Sequence, residues 1–255
     1  METDIQNILR FYIDAGVDQT CSDECSGFLK QENILKNEPA PVVRLATTNL
    51  AQDLIASKQN ARELCSKAKN LSELKQIVSN FDGCALKLTA KSTVFGAGNE
   101  NADILLIGEA PGADEDRIGL PFVGRSGRLL EKMLNSIGLK REDVYITNVL
   151  PWRPPGNRTP TDAETAVCLP FLKRQIELVS PKIILLLGGS AANALLENTD
   201  SISRLRGHFW DYQASKSLNI PALATFHPAF LLRNTAQKAK AWSDFLRLEK
   251  KLKEN

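Results

Sequence analysis

Four short apolar runs, separated by helical patterns, are the feature that most limits what this chain can fold into. Their lengths suit buried strands rather than helices, and they cover residues 104–107, 144–149, 183–187 and 222–226. One intervening helix begins with a capping box, in which Thr161 is followed three residues later by Glu164. Strands that alternate with helices are typical of parallel β-α-β units. The sequence therefore predicts an α/β fold, a three-layer α/β/α sandwich with a central, mostly parallel four-stranded sheet and a helical N-terminal extension.

Polar clusters follow directly after each of these predicted strands. Glu109 lies in a glycine-rich turn after the first strand, Asn148 closes the second, residues 188–190 follow the third, and His227 follows the fourth. In open parallel sheets, ligands bind outside the carboxyl ends of the strands. We therefore expect Glu109, Asn148 and His227 to converge on one crevice, although they are far apart in sequence.

Taken singly, these residues do not identify a reaction. The turn at 108–112 fits either a phosphate cradle or a structural tight turn, and it lacks the dinucleotide-binding fingerprint. Asn148 is by default a turn-former, Phe122 a core residue and His227 a polar residue at a strand end. From these residues alone, the crevice is a site for a nucleotide-like ligand.

The N-terminal part differs in composition from the rest. The chain has a net charge of +2, yet residues 1–45 carry four basic and eight acidic residues. We predict a short helix at 5–16 followed by an acidic flexible linker within 1–45, a helical extension over 46–80 with a break near Asn70, and a catalytic domain over 81–255. The mildly basic remainder is compatible with a nucleic-acid partner but is only weak support for one.

Composition also bears on the compartment. The chain contains no apolar run of about 18 residues, and its acidic N-terminus lacks the pattern of a secretory signal. The cysteines are odd in number and scattered, which favours a reducing compartment over a disulfide framework. They are Cys21, Cys25, Cys65, Cys84 and Cys168. We therefore expect a cytoplasmic protein that does not bind membranes.

Three segments resemble the signature blocks of the family-4 uracil-DNA glycosylases in sequence, order and spacing. They are residues 108–127, which begin Gly-Glu-Ala-Pro-Gly, residues 147–160, which contain Arg-Pro-Pro-Gly, and residues 227–233, His-Pro-Ala-Phe-Leu-Leu-Arg. The resemblance implies a monofunctional, metal-independent enzyme that hydrolyses the N-glycosidic bond of flipped-out uracil in single- or double-stranded DNA. The product is an abasic site, and the reaction begins base excision repair. We expect a monomer, in which residues 1–80 either dock repair proteins or are dispensable.

The resemblance also assigns catalytic roles. Phe122 matches the aromatic residue that stacks on the flipped base, and Asn148 matches the amide that pairs with uracil N3–H and O4. His227 matches the donor to uracil O2, where negative charge develops as the bond breaks. Glu109 matches the acidic residue that orients or activates water.

Further residues of the matching blocks complete the uracil pocket and the DNA surface. A backbone N–H around Ala110 is assigned to uracil O2, and Glu115 is placed near uracil C5, where a thymine methyl would clash. Leu231 is the predicted wedge that fills the space left by the flipped base. The candidates for phosphate contacts are Arg153, Arg158, Arg206 and Arg233.

Members of this family bind a [4Fe–4S] cluster through four cysteines, and this chain departs from that pattern. The resemblance aligns the four ligand positions with Phe81, Cys84, Trp152 and Cys168. Such clusters require thiolate ligands, which phenylalanine and tryptophan cannot supply. We therefore predict that the cluster is lost and that no metal or other cofactor is bound.

Alternatives to these assignments remain open. Cys65, or the pair at 21–25, would have to supply the missing cluster ligands, although their spacing matches no ligand pattern. A nucleotide- or phosphate-handling α/β enzyme would have no need of Phe122. A non-catalytic or covalently trapping uracil-DNA binder would carry a basic, histidine-containing insertion after the second strand. Here Asn148 leads directly into the Arg-Pro-Pro-Gly segment at 153–156, which leaves no room for one.

Overall fold

The computed structural model describes residues 47–215 and 217–254, so the predicted helix at 5–16 and the linker after it lie outside the described residues. The helices are α1 Thr47–Lys67, α2 Leu71–Asn80, α3 Leu86–Thr89, α4 Ala113–Ile118, α5 Arg125–Asn135, α6 Asp162–Val179, α7 Gly189–Leu196, α8 Ile202–Leu205, α9 Pro228–Arg233 and α10 Lys238–Glu254. The strands are β1 Ala97–Gly98, β2 Ile104–Gly108, β3 Tyr145–Asn148, β4 Ile183–Leu187, β5 Phe209–Ser215 and β6 Leu218–Thr225. Short 3-10 helices cover Arg141–Asp143, Pro155–Asn157 and Thr235–Gln237.

The strands form one mixed sheet in the order β1-β3-β2-β4-β6-β5. The four inner strands are parallel, whereas β1 and β5 lie antiparallel at the two edges. The predicted α/β class and the parallel centre are thus confirmed, but the described sheet has six strands rather than four. The edge strands escaped prediction because β1 has only two residues and β5 alternates between exposed and buried positions.

Helices cover both faces of the sheet, which gives the predicted three layers. Alternate residues of β2 face opposite clusters of the core, with Leu105 and Ile107 on one side and Ile104 and Leu106 on the other. The first cluster contains side chains of α1, α2, α6 and α7, and the second contains side chains of α5 and α10. Because both faces are covered, β2 and β4 are apolar throughout, and β3 is buried at every residue. This explains why they stand out in the sequence.

The two helices before the sheet pack into the first of these clusters. Asn70 separates them and caps α2 by accepting a hydrogen bond from Glu73 N at 2.9 Å. The guanidinium of Arg174 on α6 donates to Ala68 O at 2.6 and 3.2 Å, which fixes the end of α1 against α6. Leu74 on α2 is fully buried in the same core as the sheet. None of the helices in the described ranges is both long and apolar enough to cross a bilayer.

Candidate active site

A cavity of about 420 Å³ opens at the carboxyl ends of the parallel strands. The structure brings Glu109, Asn148 and His227 together in its wall, as the strand topology predicted. In the sheet, Gly108 at the end of β2 pairs with Asn148 at the end of β3, so the residues that follow emerge side by side. The predicted site residues that line the cavity are Glu109, Ala110, Glu115, Phe122, Asn148, Arg158, His227 and Arg233.

Asn148 presents a buried oxygen that lacks a hydrogen-bond partner. The side chain is only 5% exposed, and its Oδ1 makes no hydrogen bond to any described residue. Gly108 lies directly beside it, and a Cβ at that position would be 2.4 Å from Asn148 Oδ1 and 2.7 Å from Phe122 Cζ. Buried polar atoms are almost always hydrogen-bonded in native proteins. This oxygen is therefore positioned to accept a hydrogen bond from a ligand.

A buried polar network holds the strand just before Asn148. The hydroxyl oxygen of Thr147 lies 2.8 Å from Phe95 O and 2.9 Å from Gln175 Oε1. The amide of Gln175 also donates to Phe95 O at 2.9 Å. Gln175 was not predicted as a site residue, and its only signal in the sequence is a polar side chain among the apolar positions of α6.

The loop that carries Phe122 is fixed in an unusual backbone conformation. Phe122 has φ of 52°, which a bulky residue rarely adopts and which costs roughly 1–3 kcal/mol. The guanidinium of Arg141 donates to the carbonyl of Phe122 at 2.9 Å and to that of the preceding residue at 2.5 Å. On the other side, Glu115 Oε1 accepts from the amides of Val123 and Gly124, both at 2.9 Å. These contacts hold the aromatic ring in the cavity wall before any ligand arrives.

Glu115 and Arg141 therefore stabilise the Phe122 loop through contacts that the sequence did not predict. Glu115 lines the cavity as expected, but its Oε1 is engaged by backbone amides of the Phe122 loop. Arg141 lies outside the three matching blocks and comes from the 3-10 helix before β3. No local sequence signal identifies Arg141, because its contact with Phe122 spans 19 residues.

His227 is held in one orientation and one protonation state. It is the N-cap of α9, where its Nδ1 accepts from Ala229 N at 3.0 Å. Burial lowers the pKa of His227 to about 4, and the charge of Arg233 adds to the decrease while Glu115 opposes it. The ring is therefore neutral near pH 7, and because Nδ1 is an acceptor, the proton lies on Nε2. The ring centroid lies 5.5 Å from that of Phe122.

We expect NMR to detect this neutral tautomer directly. In a titration of ¹⁵N-labelled protein, His227 should remain neutral with its proton on Nε2 until the pH falls toward about 4. The reason is that protonation charges a buried ring and breaks the bond from Ala229. The chain has two histidines, so spectra of a His208→Gln variant assign the His227 signals. A midpoint near 6.5, or a proton on Nδ1, would contradict this arrangement.

Glu109 lies at the boundary between two cavities. It follows β2 directly, is half-buried, and lines both the cavity described above and a neighbouring one of about 370 Å³. Its backbone carbonyl accepts from Leu150 N at 3.1 Å, which ties the turn to the segment after β3. A carboxylate held in this way can bind a water molecule beside a ligand in the first cavity.

Three of the four predicted phosphate-binding arginines surround the mouth of the site. Arg158 and Arg233 line the cavity, and Arg153 is half-buried beside it, with its Nε donating to Asn157 Oδ1 at 2.7 Å. Arg158 also forms two hydrogen bonds with Glu164, at 2.6 and 2.9 Å. Hydrogen bonding from Arg158 lowers the pKa of Glu164 to about 2. Arg158 is thus partly neutralised before it meets any phosphate.

Arg206, the fourth of these arginines, forms a buried ion pair, and its contact with phosphate stays a prediction. Its guanidinium donates to the fully buried carboxylate of Asp244, from Nε at 2.9 Å and from a terminal nitrogen at 2.5 Å. It also donates to Lys240 O and lies 5.3 Å from the centre of the Phe226 ring. Thr225 donates to the same carboxylate at 2.7 Å. The Arg206 guanidinium, which follows α8, is therefore held against α10 by its ion pair with Asp244.

Leu231, the predicted wedge, is buried in this structure, and its insertion into DNA stays a prediction. Its side chain is 1% exposed and packs in a cluster with Phe226 and Ala241. The preceding residue, Phe230, is only partly buried and lines the active-site cavity. The motif fixes the position of the six-residue helix α9 but does not show which side of that helix faces the core.

Comparison with known proteins identifies a family and several relatives that this chain is similar to. The model of the uracil DNA glycosylase superfamily matches residues 95–246. The chain is 42% identical over 173 residues to the type-4 uracil-DNA glycosylase of Thermotoga maritima, covering 66% of this chain and 88% of that protein. It is 41% identical over 184 residues to the type-4 uracil-DNA glycosylase of Archaeoglobus fulgidus, covering 71% and 92%. The corresponding protein of Saccharolobus solfataricus is 40% identical over 190 residues, covering 72% and 87%.

Proposed function

Because this chain belongs to the type-4 uracil-DNA glycosylases of the uracil DNA glycosylase superfamily, we propose that it hydrolyses the N-glycosidic bond of flipped-out uracil in DNA. The product is an abasic site, and the reaction is the first step of base excision repair. The observation that carries this proposal is the buried, unpartnered Oδ1 of Asn148, which shares one cavity with the ring of Phe122 and a neutral His227.

Base recognition follows from the chemistry of the Asn148 amide. Its Oδ1 accepts from uracil N3–H, and its NH₂ group donates to uracil O4. Cytosine presents the opposite pattern at these two atoms, with an acceptor at N3 and an amino group at C4. With cytosine in the pocket, an acceptor would face an acceptor and a donor would face a donor. Each unmade hydrogen bond would cost about 1–3 kcal/mol. Phe122 stacks on the face of the flipped base.

Catalysis depends on the negative charge that the base acquires as the bond breaks. The Nε2–H of His227 donates to uracil O2, and the backbone N–H of Ala110 adds a second donor. Because Ala229 N–H holds the ring at Nδ1, the donor needs no reorganisation during the reaction. Glu109 orients or activates the water that attacks the sugar carbon.

The test of this function is release of uracil from a synthetic duplex. We expect the purified protein to convert a strand with one U·G pair into an alkali-labile product in the presence of EDTA. Matched duplexes with C·G or T·G at the same position should stay intact, because their bases do not fit the amide pattern of Asn148 or the pocket. Intact U·G strands at enzyme excess would refute the proposed function.

DNA is the macromolecular partner that follows from this reaction. Arg153, Arg158 and Arg233 surround the mouth of the cavity, where backbone phosphates approach. We propose that the enzyme works as a monomer in the cytoplasm on single- or double-stranded DNA. Residues 1–80 either dock repair proteins or are dispensable for the reaction.

The residues at the four cluster positions of the family do not fit an iron–sulfur cluster. Phe81 and Trp152 are 2% and 1% exposed. The Phe81 ring packs edge-on against Phe171 with centroids 4.9 Å apart, and a Cβ on Gly83 would lie 2.4 Å from its Cζ. The indole of Trp152 donates to Thr93 Oγ1 at 3.1 Å. The two aromatic rings fill the space that ligands and cluster atoms would need.

The cysteines of this region also argue against a cluster. Cys84 and Cys168 are buried with their sulfur atoms 3.9 Å apart, so they form a close thiol pair with only two of the four ligands required. Cys65 is buried on α1, where burial raises the pKa of its thiol to about 12, and its spacing from Cys84 and Cys168 matches no ligand pattern. Cys21 and Cys25 lie outside the described residues.

We expect the protein to be colourless and free of iron. After anaerobic purification, and again after incubation with ferrous iron and sulfide, it should lack the absorbance of thiolate-bound iron, because two of the four positions are aromatic. Colorimetric iron analysis provides the measurement. A brown protein with roughly four iron atoms per chain would contradict the inference about the cofactor and leave the proposed reaction intact.

A further inference from the structure

The second cavity, next to the active site, has the chemistry of a ligand site. Its volume is about 370 Å³, and it shares Glu109 with the active site. The segment after β3 and the helix α7 both line it, and Val149 and Leu150 provide apolar surface. Its neutral polar side chains are Thr159, Thr165, Ser190, Asn193, Asn198 and Thr199.

Asn193 of α7 has a buried side-chain oxygen without a hydrogen-bond partner in the second cavity, as Asn148 has in the first. Only three side-chain polar atoms are buried without a partner in the described part of the chain, and Asn148 Oδ1 and Asn193 Oδ1 are two of them. A buried acceptor without a donor costs about 1–3 kcal/mol. Because Asn193 lines the cavity, a ligand held there can supply the missing donor.

The charges around the cavity limit what this ligand can be. Its lining contains no lysine or arginine, whereas Asp162 and Glu109 contribute carboxylates, so a phosphate would be repelled. The volume also far exceeds the roughly 30 Å³ share of a single water molecule. Neutral hydroxyls and amides beside an apolar surface suit a flat, uncharged group with several hydrogen-bonding edges. A nucleobase has these properties.

We propose that the second cavity receives the nucleobase adjacent to the target uracil on the same DNA strand. This inference rests on the proposed function, because Glu109 must then lie beside the sugar of the target nucleotide. Since Glu109 also lines the second cavity, the strand that continues from that sugar passes its mouth. Asn193 Oδ1 accepts from an amino or ring N–H group of the neighbouring base.

The proposal predicts which DNA form is preferred. In a duplex, the neighbouring base must break its pairing with the opposite strand and its stacking on adjacent bases. This costs a few kcal/mol in addition to the cost of flipping uracil. In a single strand this cost is small. The enzyme should therefore act faster on single-stranded than on double-stranded substrates, and the advantage should shrink when the second cavity is altered.

The experiment measures uracil release from single-stranded oligonucleotides in which one neighbour at a time is a stable abasic analogue. For the native protein, loss of the base on one side should raise KM about fivefold, the equivalent of one hydrogen bond of ~1 kcal/mol, with little change in kcat. An Asn193→Leu variant should show nearly the same KM with and without that base. Asn60→Leu, at an exposed position on α1, is the matched control and should behave as the native protein.

The outcomes distinguish failure of this inference from failure of the proposed function. If the native protein releases uracil with the same KM whichever neighbour is missing, the second cavity does not bind a base, and the glycosylase assignment stands. The same conclusion follows if Asn193→Leu keeps the full dependence on the neighbour. If no oligonucleotide loses uracil, the proposed function itself fails. The series on the native protein decides the matter even if the variant does not fold.

Discussion

Replacing His227 with alanine should lower kcat roughly 10²–10³-fold, the usual effect of removing one preorganised donor to a developing negative charge. The neutral ring is fixed by Ala229 and presents its Nε2–H to the cavity, so no other side chain of the pocket replaces it. Single-turnover excision from a uracil-containing oligonucleotide measures the loss. The matched control is His208→Ala, which removes the exposed histidine of the chain and should retain native turnover.

Asn148→Ala belongs to the same prediction and should show a loss of similar size. It removes the amide that reads the uracil edge, and it lies in the β3 wall of the same cavity. Far-UV circular dichroism and thermal melting should show that both variants stay folded, because Asn148 Oδ1 has no partner to lose and loss of the His227 cap on α9 costs only about 1 kcal/mol. Near-native turnover in both variants would mean that the pocket has been misassigned.

Arg206→Leu should lower the free energy of unfolding by about 3–5 kcal/mol, the range observed when one partner of a buried ion pair is removed. Asp244 is fully buried, and burial raises its pKa while hydrogen bonds from Thr225 and Arg206 oppose the rise. Without Arg206, the folded protein holds the proton of Asp244 more tightly than the unfolded chain does. The loss of stability should therefore be larger near pH 8 than near pH 5.

The double variant Arg206→Leu with Asp244→Leu is the control for this effect. It removes both charges from the interior, so it should recover much of the stability that Arg206→Leu loses. Urea unfolding of the native protein, the two single variants and the double variant measures the coupling energy between Arg206 and Asp244. If Arg206→Leu unfolds like the native protein but binds DNA weakly, Arg206 contacts phosphate, as the sequence predicts, and does not stabilise the fold.

The central strands and their polar ends were predictable because they depend on local pattern. A strand buried on both faces must be apolar throughout, and β2 and β4 are. Parallel topology then brings Glu109, Asn148 and His227 to one edge without any knowledge of side-chain positions. The resemblance to a known family supplied the chemistry, which the pattern alone left open.

The parts that sequence reasoning missed depend on contacts between distant residues. Arg141 reaches the loop of Phe122 from the segment before β3, and Gln175 reaches back across 80 residues to Phe95. No periodicity or spacing marks such pairs. The burial of Leu231 and the ion pair of Arg206 were missed for the same reason, because a motif places a residue on a helix or turn without showing whether it faces the core or the solvent.

The aromatic rings of Phe81 and Trp152 also change what the protein depends on in order to fold. When cysteine thiolates hold a metal centre, metal binding and folding are one equilibrium, so a chelator acts as a denaturant. Here the corresponding interior is packed with side chains of the polypeptide itself. Because we propose that the cluster is lost, we expect refolding from denaturant to need neither iron nor sulfide. Such an enzyme keeps its supply of active molecules when iron is scarce or when oxidants attack metal centres.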